Sequence, residues 1–170
     1  MEARAKKSTG DAIRKLMDLR AETARVIRDG ARIRVFAHDN LCLIRSGQDW
    51  SDTEASERKM YLDDVEPVLR EGMDFLRDQG VPIGCYANRY MRVVDADGRV
   101  TEKSYGQSWW KSLAALERWA ESHPTHVRIF GAAMKYLSTL GPSAKLRLYH
   151  EVTVAAADEQ VAPLHQRGSS

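Results

Sequence analysis

Three histidines in the block 116–154, "LERWAESHPTHVRIFGAAMKYLSTLGPSAKLRLYHEVTV", stand on segments that otherwise read as apolar core. Imidazole both moves protons near neutral pH and binds metal ions, so the placement of these rings decides what chemistry the chain can do. Proline is favoured at the first helical position, where its missing N–H costs nothing, so Pro124 predicts a helix start with His126 in the first turn. The positive end of the helix dipole disfavours a protonated ring there. His126 is therefore expected to stay neutral, with a ring nitrogen free to bind a metal. Ile129, Phe130, Ala133, Met134 and Leu137 follow at helical spacing and predict an apolar stripe beneath the imidazole, suited to a flat, apolar macrocycle.

The period then changes from 3.6 to 2. In "KLRLYHEVTV", Leu146, Leu148, His150, Val152 and Val154 share one strand face, and Arg147, Tyr149, Glu151 and Thr153 share the other. His150 on the apolar face has two readings, a hydrogen-bonded core histidine or a working acid/base whose pKa is tuned by burial and neighbours. His126 has the same two, a satisfied core residue or a ligand. Ser46 lies on one strand face with Cys42 and Ile44, and its ordinary role would be a strand-end hydrogen bond to the backbone.

At 170 residues the chain is long enough for one domain with a substantial core. Its 26 basic and 24 acidic residues give a formal charge of +2, too balanced to signal nucleic acid or an anionic membrane. No apolar run is long enough to span a bilayer, and "MEARAKKSTGDAIRKL" has no apolar secretion core, so the expected location is cytoplasmic. Cys42 and Cys85 are far apart and outside any C-x-x-C or C-x-x-C-H pattern, which argues against a cysteine-rich zinc site and covalent haem attachment.

Other elements must position these residues. Residues 9–28 read as a helix stopped by Gly30; "RIRVFA" and "NLCLIRS" read as strands interrupted at His38, Asp39 and Asn40. Residues 52–77 read as a long helix bent or broken at Pro67 and ended by Gly80. "PIGCYANRYMRVVDADGRVTEKSYG" reads as a hairpin turning at "DADG", and a helix is expected from about Ser108 to Glu121. The order predicts an α+β fold, an antiparallel sheet with packed helices and a ferredoxin-like character. Residues 158–170 lose the apolar pattern and read as a frayed tail, with His165 inside it. His38 reads as part of a turn network and His123 as a helix-entry residue.

The blocks "AHDNLCLIRSGQDWSDTE", "YLDDVEPVLREGMDFLRDQG", "GCYANRYMR", "LERWAESHPTHVRIFGAAMKYLS" and "KLRLYHEVTV" resemble, in this order, the haem-containing aldoxime dehydratases, phenylacetaldoxime dehydratases among them. The resemblance runs from about Arg32 to Gln160. It implies a ferredoxin-like domain of the dimeric α/β-barrel type over residues 31–157. It also implies a lyase that removes water from an aldoxime to give a nitrile on non-covalently bound haem b with ferrous iron. Residue by residue, it makes His126, the second histidine of "SHPTH", the axial ligand of the haem iron. His150 of "LYHEV" becomes the distal acid/base, and Ser46 of "IRSGQDW" the serine that bonds the oxime hydroxyl. By their residue types "HDN" and "GQDW" read either as structural, capping turns and packing Trp50, or as support behind the site residues.

The family's members are longer, with a preceding ferredoxin-like half that gives an arginine to the distal pocket. Residues 1–30 read instead as a helical lead outside the family pattern, and Arg4 lacks the surroundings to be that arginine. The expectation is a pocket open on one side and bare apolar faces, covered by a homodimer or by a separate chain supplying the absent half. Two other functions remain: a haem-binding domain without turnover, and a non-enzymatic ferredoxin-like interaction module.

Overall fold

Strands form where apolar and small residues alternate with polar ones, and the helices between them cover one face of the resulting sheet. A computed structural model describes residues 23–28 and 31–160. The chain divides into two compact units, residues 40–155 and residues 1–39 with 156–170. In the smaller unit β1 (Thr23–Arg28) pairs antiparallel with β2 (Ala31–Phe36), Arg28 lying opposite Ala31. The larger unit runs β3 (Leu41–Asp49), α1 (Ala55–Met60), α2 (Glu66–Gln79), β4 (Cys85–Val94), β5 (Val100–Trp110), α3 (Leu113–Ser122), α4 (Pro124–Leu140) and β6 (Arg147–Ala155). Its four strands are antiparallel in the order β4–β5–β3–β6, the ferredoxin-like arrangement expected from the element order.

Alternate residues of the central strands face the helices. Cys42, Cys85 and Trp110 pack there with Leu69, Met73 and Leu76 of α2 and Ala115, Leu116 and Trp119 of α3. Each large apolar side chain buried in this layer contributes about 1.5–3 kcal/mol relative to exposure. Trp110 is fully buried, and its ring N–H donates to Ser108 Oγ at 2.8 Å. The β4–β5 hairpin turns over Asp95–Arg99, where Gly98 takes φ +80° and Asp95 Oδ1 accepts from the N–H groups of Asp97 and Arg99.

The long helix expected over 52–77 is interrupted just before Pro67. Tyr61–Val65 form a π turn between α1 and α2, with the Glu66 N–H reaching the Tyr61 carbonyl. Proline offers no N–H and its ring crowds the carbonyl four residues back, so the backbone widens there. Gly72 lets α2 and α4 approach closely, since a Cβ at that position would meet Ile129 Cδ1 at 2.4 Å.

The end of α4 and the entry to β6 meet on one buried carboxylate. Glu57 accepts from Tyr136 Oη at 2.7 Å, from the Lys145 N–H at 2.6 Å and from the Leu146 N–H at 3.1 Å. Around it Trp50, Tyr61, Val65, Tyr136 and Leu146 form a second apolar cluster.

The structure corrects several sequence expectations. The last six residues of the helix expected over 9–28 form β1, where Thr23, Val26 and Ile27 are β-branched; the remainder lies outside the described residues. The helix expected from Ser108 begins at Leu113, capped by Ser112 Oγ on the Ala115 N–H, because Ser108–Trp110 complete β5. Residue 31 is not the start of the main unit, since β2 pairs with β1 and the turn at Asn40, φ +64°, separates it from β3. Nor is the chain frayed from residue 158. Ala157–Glu159 form a 3₁₀ turn, and Gln160 Nε2 donates to the His38 carbonyl at 2.6 Å. Arg4, His165 and the rest of the tail lie outside the described residues.

Burial opposes ionisation of Glu57, but the bonds from Tyr136, Lys145 and Leu146 outweigh it and hold its pKa below the usual 4.5. A depressed folded pKa gives stability that is complete above the unfolded pKa and lost as pH falls through the folded one. Glu57→Gln should therefore cost about 1–3 kcal/mol near neutral pH. Urea unfolding at pH 7 and pH 3.5 should show that the gap between wild type and variant narrows in acid.

Candidate functional site

The register of β3 against β6 brings together two residues 104 positions apart. Ser46 lies directly opposite His150, and Ser46 Oγ is 2.8 Å from His150 Nδ1. On its other side Ser46 faces Gly106 of β5. Gln48, two residues on and on the same strand face, donates from Nε2 to the Ser46 carbonyl at 3.1 Å. Its Oε1 accepts from buried Ser104 Oγ at 2.9 Å, and Ser104 in turn bonds Tyr90 Oη at 2.8 Å. Both roles read from "GQDW" occur: Asp49 caps a turn, its Oδ1 accepting from Ser51, and Gln48 supports Ser46. The period-2 spacing from Ser46 to Gln48 was the available signal.

His150 does not lie in a core. β6 is an edge strand, and the face that carries His150 is bare, with Leu148, Val152 and Val154 exposed beside it. An apolar pattern predicts which residues share a face, but burial also needs a covering layer. The hydroxyl of Ser46, rather than desolvation, is what positions this ring.

His126 sits in the first turn of α4, as predicted. Residue 123, before the proline, is extended (φ −75°, ψ 133°), which ends α3, and Pro124 opens α4. His123 is the N-cap: its Nδ1 accepts from the Thr125 N–H at 3.4 Å and lies 2.9 Å from Thr125 Oγ1. Thr125 Oγ1 also accepts from Trp119 Nε1 at 3.0 Å. His126 Nδ1 is 2.6 Å from the Ala120 carbonyl. A carbonyl only accepts, so Nδ1 carries the proton and Nε2 keeps its lone pair. The edge of Trp119 meets the ring at 4.6 Å between centroids. Burial pulls the pKa of His126 below the usual 6.5; the Ala120 bond opposes this, and the charge of nearby His150 adds to it.

The stripe predicted on α4 divides. Ile129 turns inward onto α2, whereas Phe130, Met134 and Leu137 face outward with Val127, Phe130 being 60 % exposed. The structure thus presents one imidazole on α4 whose Nδ1 is fixed by a carbonyl and whose Nε2 is left for a ligand, on a helix that also carries exposed apolar residues. Among the described residues no group of three or more His, Cys, Asp or Glu could hold a metal ion by itself. One axial imidazole and apolar walls are what haem requires of a protein, so the residues fit that group. Cys42 and Cys85 are free and buried, and burial pushes the Cys85 thiol up to about 11. His38 lies in the smaller unit, its Nδ1 2.9 Å from the Asp39 carbonyl.

Residues 1–163 match the sequence profile of the haem-containing dehydratases, a span that takes in the first thirty residues set apart above as a lead. The chain belongs to that family. Haem is the cofactor of haem-containing dehydratases, in agreement with the donor set on α4. The chain is 55 % identical over 132 residues to the aliphatic aldoxime dehydratase of Pseudomonas chlororaphis, covering 78 % of this chain and 37 % of that one. It is 38 % identical over 125 residues to the phenylacetaldoxime dehydratase of Bacillus sp. strain OxB-1, 74 % of this chain and 36 % of that one. An aldoxime dehydratase crystallised with butyraldoxime superposes with a TM-score of 0.70 at 49 % identity, over 83 % of this chain and 39 % of that one. The chain thus spans a little over a third of the length of these relatives.

Because folding holds His126 neutral and unfolding releases it to its usual pKa, the metal-free chain should lose stability as pH falls below about 6.5. His126→Ala should remove that component. Urea midpoints at pH 7.5 and pH 5.5 should converge less between the two conditions for wild type than for the variant.

Proposed function

We propose that this chain is the haem-holding part of an aldoxime dehydratase, converting R–CH=N–OH to R–C≡N and water. His126 holds the haem iron through Nε2, and the outward residues of α4 and β6 form the apolar walls. The observation that carries this reading is the bond from His126 Nδ1 to the Ala120 carbonyl, which leaves Nε2 for the metal on a ring that feels the charge of His150. Bound haem supplies a ferrous Lewis acid for the oxime nitrogen. The substrate class is supported by the names of the relatives, with aliphatic aldoximes favoured by the higher identity to the aliphatic enzyme.

The protein supplies position and protons. Ser46 Oγ both donates and accepts, so it can bond the oxime hydroxyl while it keeps its 2.8 Å contact with His150. With Nδ1 of His150 held by Ser46, Nε2 is the atom left to exchange protons. Hydroxide is a poor leaving group; a proton from His150 lets it depart as water, and the imidazole then takes the hydrogen from carbon. No electrons are gained or lost overall. Ser46 contributes by holding the hydroxyl in line with that proton.

The outward apolar residues of α4 and β6 include surface that a second copy of this chain, or a separate chain, would cover. No described helix is long and apolar enough to cross a membrane, and we place the reaction in the cytoplasm.

The test is an absorption spectrum of the reduced, haem-reconstituted chain before and after adding butyraldoxime, with nitrile assayed in the same sample. The expected result is a Soret band that shifts on addition while nitrile forms. His126→Ala should lose the band. His150→Ala should keep it and lose turnover about 10²–10⁴-fold. A stable band without nitrile would identify a haem-binding module, and loss of the band in His150→Ala would overturn the assigned roles.

A further inference from the structure

The support beneath His126 is a backbone group in an unusual position. Ala120 lies in the last turn of α3, where helix carbonyls have no intrahelical partner. Continuing the helix would bring the N–H of residue 124 to it, but residue 124 is Pro124, which has none. Proline also forces His123 into the extended conformation, so the chain turns away after the His123 N–H reaches the Trp119 carbonyl at 3.1 Å. Two residues into α4, the ring of His126 swings back and takes the Ala120 carbonyl at 2.6 Å. The ten residues of α3 direct their negative dipole end, roughly half a unit charge, toward this acceptor. The edge of Trp119 meets the His126 ring, and Trp119 is itself tied through Nε1 to Thr125 Oγ1, so the ring is confined on a second side.

We infer that the carboxyl end of α3, acting through the Ala120 carbonyl, sets how strongly His126 donates electrons to the iron it holds. The inference rests on reading His126 as the iron ligand. A strong acceptor on Nδ1–H gives the ring part of the character of an imidazolate and makes Nε2 a better donor. A better donor strengthens the iron–histidine bond and stabilises ferric iron relative to ferrous. Pro124 and Ala120 thereby become positioning residues, acting on the iron only through His126. In sequence the device is "WAESHPTH": an acceptor, a helix end imposed by proline, and a histidine two residues after it.

The direct test replaces the Ala120–Glu121 amide by an ester, using the α-hydroxy analogue of residue 121. This weakens the carbonyl as an acceptor and leaves every side chain in place. The same ester at the Glu117–Arg118 link removes one helix bond in the same way without touching His126, and serves as the control. Expected in the 120–121 ester, and not in the control, are a lower ferrous iron–histidine stretching frequency and a higher midpoint potential. Haem affinity should fall about tenfold, with a larger loss for ferric than for ferrous haem. Unchanged frequency and potential in a haem-loaded 120–121 ester would overturn the inference. Failure of the wild-type chain to bind haem would instead overturn the function proposed above. If the ester variant does not fold, ring-labelled NMR of the unaltered, haem-free chain decides: a protected proton on Nδ1 of His126 supports the inference, and a proton on Nε2 overturns it.

Discussion

The carboxylate of Glu57 is the constraint on which the geometry of the site depends. Among the described residues β6 has a strand neighbour on one side only, and its helix-facing residues are exposed, so neither a second described strand nor an apolar layer holds it in place. Its ladder with β3, surface ion pairs of Arg147 and Glu151, and the grip of Glu57 on the two N–H groups just before the strand begins hold it, and of these only the Glu57 bonds are buried. The same carboxylate takes the hydroxyl of Tyr136, on the helix that carries His126. One buried charge thereby ties the strand of His150 to the helix of His126. A carboxylate buried without partners would cost several kcal/mol, so three donors convert a liability into a junction that only one arrangement satisfies.

The two imidazoles are treated differently by their surroundings. His126 is fixed through Nδ1 by a backbone carbonyl and kept neutral chiefly by burial, the state a metal ligand needs. His150 is exposed and held by a side-chain hydroxyl, which can change partners when a substrate hydroxyl arrives. A backbone acceptor cannot move without unwinding a helix end. A serine rotor can turn at little cost, so the rigid bond lies on His126 and the adaptable one on His150.

The bare faces of α4 and β6 have a physical meaning for the unit as a whole. Exposed Phe130, Met134, Leu148 and Val152 would be a liability on a surface that always faced water. Whatever lies against them in the folded unit and does not bind the unfolded chain would remove part of that surface and stabilise the fold. The core formed by Trp110, Trp119, Leu76 and their neighbours lies between the sheet and the helices α2 and α3.

Much of this was legible in the residues themselves. Pro124 and His123 mark a helix entry, "DADG" marks a hairpin, and the period-2 pattern of "KLRLYHEVTV" marks a strand, because capping, turn geometry and side-chain alternation are local and need no knowledge of the rest of the chain. The same locality explains the misreadings: β1 was taken for a helix because a short segment can satisfy both periods, and the end of β5 was assigned to the following helix. What only the tertiary structure decided is everything that joins distant positions: Ser46 to His150 by strand register, Glu57 to residues 145 and 146 by helix packing, and His126 to Ala120 by the angle between two helices. It also decided that the apolar face of β6 is uncovered, since alternation says which side chains point together and nothing about what lies above them. Register, packing angle and coverage are properties of pairs of elements, so one segment's pattern cannot contain them.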